Sequence, residues 1–381
     1  MAEEDKPIPV HSTPVPAPAA SASAVSVSVS ASSSGTPLPL CGAHHEGIKL
    51  YDVTRCRPYS SSGLACASHC RTVNPTVGCE HNCVYCYANA SPCSGGFQSN
   101  LKLGVVSRLG EETAKFLGRA KRKDTRLYFS TSCDAFQSPD VVQDATRGAM
   151  RAAFAAGSSV AFLTKGIIRS DIMDMLEAHR EHVFAQVGVI TVDDAVSSVV
   201  EPGAPPPAAR IAQMADLIRR GIATTARVDP ILPGITDTED RLNLLFAAIS
   251  GAGVEQVAVS YLFLRPKIRS NIVRVAVPML TSMLNEYASG CKLTLHGEST
   301  MDSLPVGRRR SGYDTIVRIA TTYGLKAIIC HCKNADIEDS GACHIAGPPP
   351  ISPISVSGNG RLRSASSSQK DDGGSKKARL M

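Results

Sequence analysis

The sequence predicts an α/β protein built from parallel βαβ units, and three observations carry that reading. Apolar runs of strand length alternate with helix-length segments through the middle of the chain. The runs are nearly continuous in apolar residues, as expected of strands covered on both faces. Gly, Pro and Ser punctuate the joins where helices start and stop. Alternation at this spacing implies a parallel sheet, with chemistry at the C-terminal ends of its strands.

The elements follow in order. A first strand is expected near 71–77 and a helix near 108–120. RLYFSTS (126–132) reads as the second strand. Ser138 is expected to cap the next helix, with Pro139 in its first turn and Gly157 past its end. SVAFLTK (159–165) is a strand, followed by a helix capped at Ser170. VFAQVGVIT (183–191) is a strand, and a helix over about 206–220 stops at Gly221. IATTARVDP (222–230) is a strand, a helix over about 238–250 stops at Gly251, and QVAVSYLFL (256–264) is the sixth strand. Six such units fit an open doubly wound sheet or a partial barrel, and periodicity leaves both open. A helix (273–288), a strand (291–296), a helix (312–323) and a strand (324–330) then read as a small appended α+β region.

The flanks differ in composition. Residues 1–40 are Ser, Ala, Pro and Val with little else, and 347–381 form a second polar stretch. Both are expected to be disordered, since neither offers a bulky core face. The resulting map is a tail (1–40), a Cys-containing extension (41–70), the α/β core (71–270), a C-terminal extension (271–346) and a basic tail (347–381). Lys376, Lys377 and Arg379 in that last tail make a weak nuclear signal, and a cytoplasmic location is the expectation. The 381-residue chain is 43% hydrophobic, enough for a sizeable core, and its formal net charge is +6. No apolar run approaches the ~18–20 residues of a membrane span. The acidic start MAEEDKP, without an apolar stretch behind it, leads to no expectation of a secretory signal.

The 13 cysteines are an odd number, so complete intramolecular pairing is impossible. Eight fall between 41 and 93, and the sharpest group is NPTVGCEHNCVYCYA, with Cys79, Cys83 and Cys86 spaced C-x3-C-x2-C just after the first strand. Three thiolates in so few residues can hold three irons of a four-iron cluster and leave the fourth open for a ligand. The alternative is a structural zinc site completed by His81 or Cys93. Cys330, Cys332 and Cys343, interleaved with His331 and His344, form a second group, and Cys56, Cys66 and Cys70 a third. Either could ligate a second iron–sulfur cluster or a zinc ion. Cys41, Cys93 and Cys291 read as structural.

CEHNCVYCY resembles the cluster motif of radical S-adenosylmethionine (radical SAM) enzymes, whose core is a partial (β/α)6 TIM-like barrel. From about 71 to 264 the chain is similar to the spore photoproduct lyase-like, or DNA repair photolyase-like, branch. The stretches that carry this are TVGCEHNCVYCYA, STSCDAFQSPD, FLTKGIIRSDI, GVITVDD, VEPGAPPPAARIAQMADLIRRGI and ARVDPILPGITD. The resemblance implies that Cys79, Cys83 and Cys86 ligate a [4Fe-4S] cluster whose open iron holds SAM. Reductive cleavage of SAM then yields a 5′-deoxyadenosyl radical that abstracts hydrogen from substrate. It implies an external reductant such as ferredoxin or flavodoxin, and oxygen sensitivity. Tyr85 stands where the family sets an aromatic against the adenine. Ser130, Thr131 and Ser132 end the second strand, where relatives contact the SAM amino group. Lys165 could pair with the SAM carboxylate, Thr191 could reach the ribose, and Arg227 and Asp229 lie near the end of the fifth strand. Cys133 stands where spore photoproduct lyases carry a hydrogen-donating thiol, with a buried inert thiol as the alternative. Glu201 and Arg210 match the branch pattern and suggest an ion pair or a cofactor contact.

The substrate reading divides between a nucleic acid and a peptide or small metabolite, and a non-catalytic metal-binding module is the third alternative. For the first, KRKDTR (121–126), RPKIR (265–269) and RRR (308–310) could track phosphates, with Tyr59, Tyr87 and Tyr313 available for stacking.

Overall fold

The computed structural model describes residues 44–45, 47–53, 59–61, 67–88, 101–119, 125–295, 299–343 and 347. The tails expected to be disordered lie outside these residues, Gly347 apart, as do Cys41, Cys56, Cys66, Cys93, His344 and positions 121–124. The chain runs through β1 (His44–His45), β2 (Ile48–Asp52), β3 (Tyr59–Ser61), β4 (Cys70–Val73), β5 (Thr76–Val77), β6 (Lys102–Val105), α1 (Leu109–Leu117) and β7 (Arg126–Phe129). It continues with α2 (Asp140–Ala155), β8 (Val160–Thr164), α3 (Ser170–Ala178), β9 (Val183–Gly188), α4 (Asp194–Val200), α5 (Pro207–Arg219), β10 (Ala223–Ile231), α6 (Glu239–Gly251) and β11 (Gln256–Tyr261). The last elements are α7 (Pro266–Val275), α8 (Pro278–Asn285), β12 (Cys291–Leu295), β13 (Ser299–Ser303), α9 (Val306–Thr322) and β14 (Lys326–Ile329). Among the described residues no helix is long and apolar enough to cross a membrane.

Seven strands form one parallel sheet in the order β14-β11-β10-β9-β8-β7-β4, and β3 adds antiparallel to the outer edge of β4. Six were expected. The seventh is β14, which pairs with β11 from Gln256↔Lys326 to Val259↔Ile329. Its run KAII is short but apolar enough to extend the sheet, so α9 and β14 prolong the βα rhythm rather than standing apart from it. The β12–β13 hairpin is separate from that sheet.

The first strand breaks in two at Asn74–Pro75. Pro has no N–H for a ladder, and the chain turns from β4 in the main sheet to β5 in a small sheet ordered β1-β2-β6-β5. The expected helix over 273–288 also divides. Ala276 is left-handed (φ 54°) and Pro278 opens α8. Ser138 does not cap α2, since Pro139 holds that position. The Ser138 hydroxyl donates instead to Glu80 at 2.6 Å, tying the start of α2 to the loop that carries Cys79. Arg169 likewise precedes α3 and its guanidinium gathers Asp140, Asp144 and Asp171, so Ser170 is the first helical residue.

Side chains alternate along each strand, which gives two cores. Leu127, Phe129, Phe162, Val187 and Val259 pack with helix residues such as Met150, Leu176 and Leu245. Tyr128, Ala161 and Ala258 face the other way, into a smaller cluster with Ala67, Cys70, Cys330 and Cys343.

Gly78 immediately precedes the first cysteine of the motif. Its φ is +93°, and an added Cβ would stand 2.7 Å from the Lys102 carbonyl oxygen. Gly78→Ala is therefore expected to cost about 1–3 kcal/mol, seen as a lowered urea midpoint. An unchanged midpoint would show that the loop relaxes freely.

Candidate active site

The Cys79–Cys86 segment leaves β5 and coils over the C-terminal ends of the main strands through turns closed by Asn82 N–H to Cys79 O (3.3 Å) and Cys86 N–H to Cys83 O (3.1 Å). Val84 N–H bonds to Val200 O at 3.0 Å, which fixes the segment to the end of α4. Cys83 is buried, and Cys79 and Cys86 are half-buried. Burial pushes the Cys79 thiol well above its ordinary range, and Asp134, Cys83, Cys133 and Cys86 push it further. Burial raises Cys83 to about 12, against the pull of Lys165. Grouped buried thiols of this kind become thiolates when a metal centre supplies positive charge, so the donor set fits an iron–sulfur cluster. His81, the described candidate for a fourth zinc ligand, turns Nδ1 toward Asp134 at 3.5 Å.

The STSC segment that follows β7 is held by Asn74, which sequence reasoning missed. Asn74 bonds the Thr131 hydroxyl (3.0 Å), accepts from Ser132 N–H (2.8 Å) and takes the Cys133 thiol at 3.7 Å. Ser130 is left-handed (φ 73°) and its hydroxyl accepts from Ala135 N–H at 2.9 Å. Cys133 is 9% exposed and within the field of Cys79. The structure thus brings Ser130, Thr131 and Cys133 beside the triplet, with the Tyr87 hydroxyl donating to the Thr131 carbonyl.

Asp134 is a second missed residue. It accepts from Phe136 N–H (2.9 Å), the Thr164 hydroxyl (2.7 Å) and Lys165 N–H (2.7 Å), so one carboxylate joins the ends of β7 and β8. Lys165 then extends toward Glu201, Nζ to Oε1 at 3.8 Å, and over the Tyr85 ring at 5.7 Å. Tyr85 is buried and donates its hydroxyl to Glu201. Glu201 is also paired with Arg210 at 2.7 Å, and both side chains are completely buried. Arg210 donates further to Gly188 O (3.0 Å) and Ser197 Oγ (2.9 Å). Thr191 is buried, and its hydroxyl accepts from Asp193 N–H at 3.0 Å. Asp193 in turn caps α4, a helix sequence reasoning missed because it is only two turns long and follows β9 directly.

Arg227 pairs with Asp229 at 2.6 Å, and Lys333 bonds the same carboxylate at 2.6 Å. These groups stand with Cys330 and Cys343 on the inner face, where Arg227 is paired in register with Gly188 and the Lys165 side chain lies over Gly188. Three arginines of the basic stretches are engaged within the fold. Arg308 is tied to Asp237 and Glu286, and the side chain of Arg309 is completely buried against Asp336. Arg126, the last residue of KRKDTR, is buried over the Phe184 ring. Tyr59 stacks on Phe116 and Tyr313 is in the core, which leaves Tyr87, 51% exposed and with Arg265 5.8 Å from its ring, as the stacking surface.

Comparison with known proteins agrees with this geometry. Residues 73–246 match the model of the Radical SAM superfamily. The fold is similar to that of spore photoproduct lyases. A spore photoproduct lyase complexed with dinucleoside spore photoproduct aligns with TM-score 0.55 at 14% identity, covering 74% of this chain and 82% of the other. A mutant of that enzyme with bound AdoMet and dinucleoside spore photoproduct aligns with TM-score 0.54 at 15% identity, covering 74% and 81%. An uncharacterised protein of Mycobacterium tuberculosis is 28% identical over 204 residues, 52% of this chain and 60% of the relative, so the chain spans about three fifths of that relative's length. A radical SAM Nalpha-GlyT isomerase of Pseudomonas phage M6 is 28% identical over 205 residues, 53% of this chain and 41% of the phage protein.

Proposed function

We propose that the protein is a radical SAM enzyme acting on a nucleic-acid-derived substrate, with Cys79, Cys83 and Cys86 as ligands of a [4Fe-4S] cluster. The observation that carries the reading is the meeting of three grouped, largely buried thiols with the Lys165–Glu201–Tyr85 group at the C-terminal ends of the strands. When bound, the cluster and SAM together supply a 5′-deoxyadenosyl radical able to take hydrogen from an unactivated C–H bond. The chain's own residues bind, orient and exclude water. Lys165 offers a cation for the SAM carboxylate, and Ser130 and Thr131 line the amino-group side. Tyr85, fixed by Glu201, presents a ring face to the adenine. Thr191 stands at the end of the fourth parallel strand, on the ribose side. Arg227, held by Asp229 near the end of the fifth parallel strand, is a further candidate for a cofactor contact. Cys133 is the residue assigned to give its sulfur-bound hydrogen to a substrate radical, a role supported by the Asn74 oxygen that holds its thiol at 3.7 Å.

The substrate class rests on three supports. The structural relatives act on or hold a dinucleoside. The phage relative is named for a GlyT isomerisation. Tyr87 and Arg265 offer an exposed ring and a cation at the mouth. A low-potential protein such as ferredoxin or flavodoxin is the expected electron donor.

The test is anaerobic reconstitution with iron and sulfide, followed by SAM and dithionite. Release of 5′-deoxyadenosine is expected, and a protein that takes up no iron and releases none would sink the reading. Cys133→Ala is expected to keep both iron and 5′-deoxyadenosine release, because its thiol acts after the first hydrogen transfer. Loss of iron in that variant would move Cys133 from donor to ligand.

A further inference from the structure

A second group of thiols lies at the end of β14. Cys330 Sγ and Cys343 Sγ are 3.5 Å apart, and each residue is only 2% exposed. Cys332, half-buried, shares a hydrogen bond with Cys330. The loop that returns Cys343 to Cys330 is firmly built. Gly341 bonds Ile329 O (2.8 Å) and accepts from His331 N–H (2.9 Å). Asn334 donates to Cys330 O at 3.0 Å and is itself held by Arg309 and by the Tyr313 hydroxyl at 2.8 Å. Gln186 on β9 donates to Cys343 O at 3.1 Å.

Arg227 adds an independent sign of a ligand. It is 3% exposed, and its Nε and Nη2 hold Asp229, yet Nη1 has no hydrogen-bond partner. The charge of this guanidinium acts on Cys343 and Cys330. Arg227 and Lys333 together set two positive charges against the single Asp229 carboxylate, and Arg227 also hydrogen-bonds Cys343, so one positive charge stands unbalanced beside the thiols. It is balanced when three thiolates bind a divalent ion, because that complex carries one net negative charge.

The sulfur separation decides which metal chemistry fits. Thiolates about 2.3 Å from one tetrahedral zinc stand about 3.8 Å from each other. The 3.5 Å contact is close to that figure. Cluster irons each take their own thiolate and hold the sulfurs farther apart. Among the described residues no three ligating side chains yet surround one point, and a rotamer change at Cys332, already linked to Cys330, completes the set.

We infer that Cys330, Cys332 and Cys343 form a zinc site distinct from the radical site, with Arg227 and Gln186 supporting it from β10 and β9. The bound ion locks the C-terminal loop to the inner face of the sheet. Three protein thiolates leave a fourth position for a solvent or substrate atom.

The test uses the full chain, purified under argon in the presence of zinc and washed with chelator. One zinc per chain is expected both in the natural protein and in the Cys79→Ala/Cys83→Ala/Cys86→Ala variant, which separates this site from the radical one. Cys330→Ser/Cys343→Ser is expected to lose that zinc. Cobalt(II) in place of zinc is expected to give a strong thiolate-to-cobalt charge-transfer band, absent in the serine variant. If that variant does not fold, Cys332→Ser at the half-buried position provides the same comparison and is expected to release zinc to the chelator. Zinc retained by either serine variant with an unchanged circular dichroism spectrum would overturn the proposal. So would a Cys330–Cys343 disulfide in place of zinc under argon, or iron rather than zinc bound in the triple-alanine variant.

Discussion

Cys83→Ala is expected to abolish dithionite-dependent 5′-deoxyadenosine formation and to strip the iron chromophore from anaerobically reconstituted protein. Cys83 is the most buried of the triplet at 7% exposure, and its thiol lies within the field of Lys165, Glu201 and Cys86. Two remaining thiolates cannot hold three irons, and alanine offers no replacement donor. Metal binding and SAM cleavage should therefore fall together, to background. Cys291→Ala is the control, because Cys291 is exposed on the β12–β13 hairpin outside the main sheet. Iron and 5′-deoxyadenosine persisting in Cys83→Ala, with loss in Cys291→Ala, would show that the motif is not the cluster site. Circular dichroism separates loss of ligation from loss of fold, since Cys83 packs at the edge of a large core that its Cβ continues to touch.

Much of this was legible in the sequence because each feature depends on local spacing. The C-x3-C-x2-C triplet, the six apolar strands and the Gly157 and Gly221 stops are written in neighbouring residues, and those glycines do take left-handed φ values of 71° and 73°. What was missed depends on contacts between distant segments. Asn74 and Asp134 look like ordinary loop residues until the strand ends meet, when one anchors the Thr131–Cys133 segment and the other joins β7 to β8. Ser138 has the chemistry of a helix cap, but Glu80 from another loop takes its hydroxyl. Arg308 and Arg309 form a basic run on paper. In the fold one is neutralised by two carboxylates and the other is buried. β14 was set apart because a hairpin and several helices intervene before it rejoins β11. Sequence separation hides a partner, and packing supplies it.

The second large effect is expected at the Glu201–Arg210 pair. Both side chains are completely buried, and Arg210 also satisfies Gly188 O and Ser197 Oγ. Removing Arg210 leaves the buried Glu201 carboxylate with Lys165 alone, 3.8 Å away, opposite it, and breaking a buried pair in this way costs about 3–5 kcal/mol. Arg210→Met should therefore lower stability by that amount at pH 7, read from urea unfolding. Burial pushes the Glu201 carboxyl up, but Arg210, Lys165 and the Tyr85 hydroxyl together hold it below its ordinary value. A depressed folded-state pKa contributes stability above the unfolded value, about 4.3 for Glu, and that contribution fades as pH falls through the folded value. Without Arg210 the carboxyl binds a proton more readily, so the variant's deficit should shrink between neutral pH and the carboxylate range. Glu201→Leu/Arg210→Met should recover part of the lost stability, because the fully buried carboxylate leaves with its partner and only Lys165, 16% exposed, keeps a charge there. It should not recover cofactor binding, because Tyr85 loses the acceptor that fixes its ring beside Lys165. Equal deficits in the single and double variants would mean that the pair acts through packing rather than charge. Full SAM affinity in the double variant would remove Glu201 from the cofactor site.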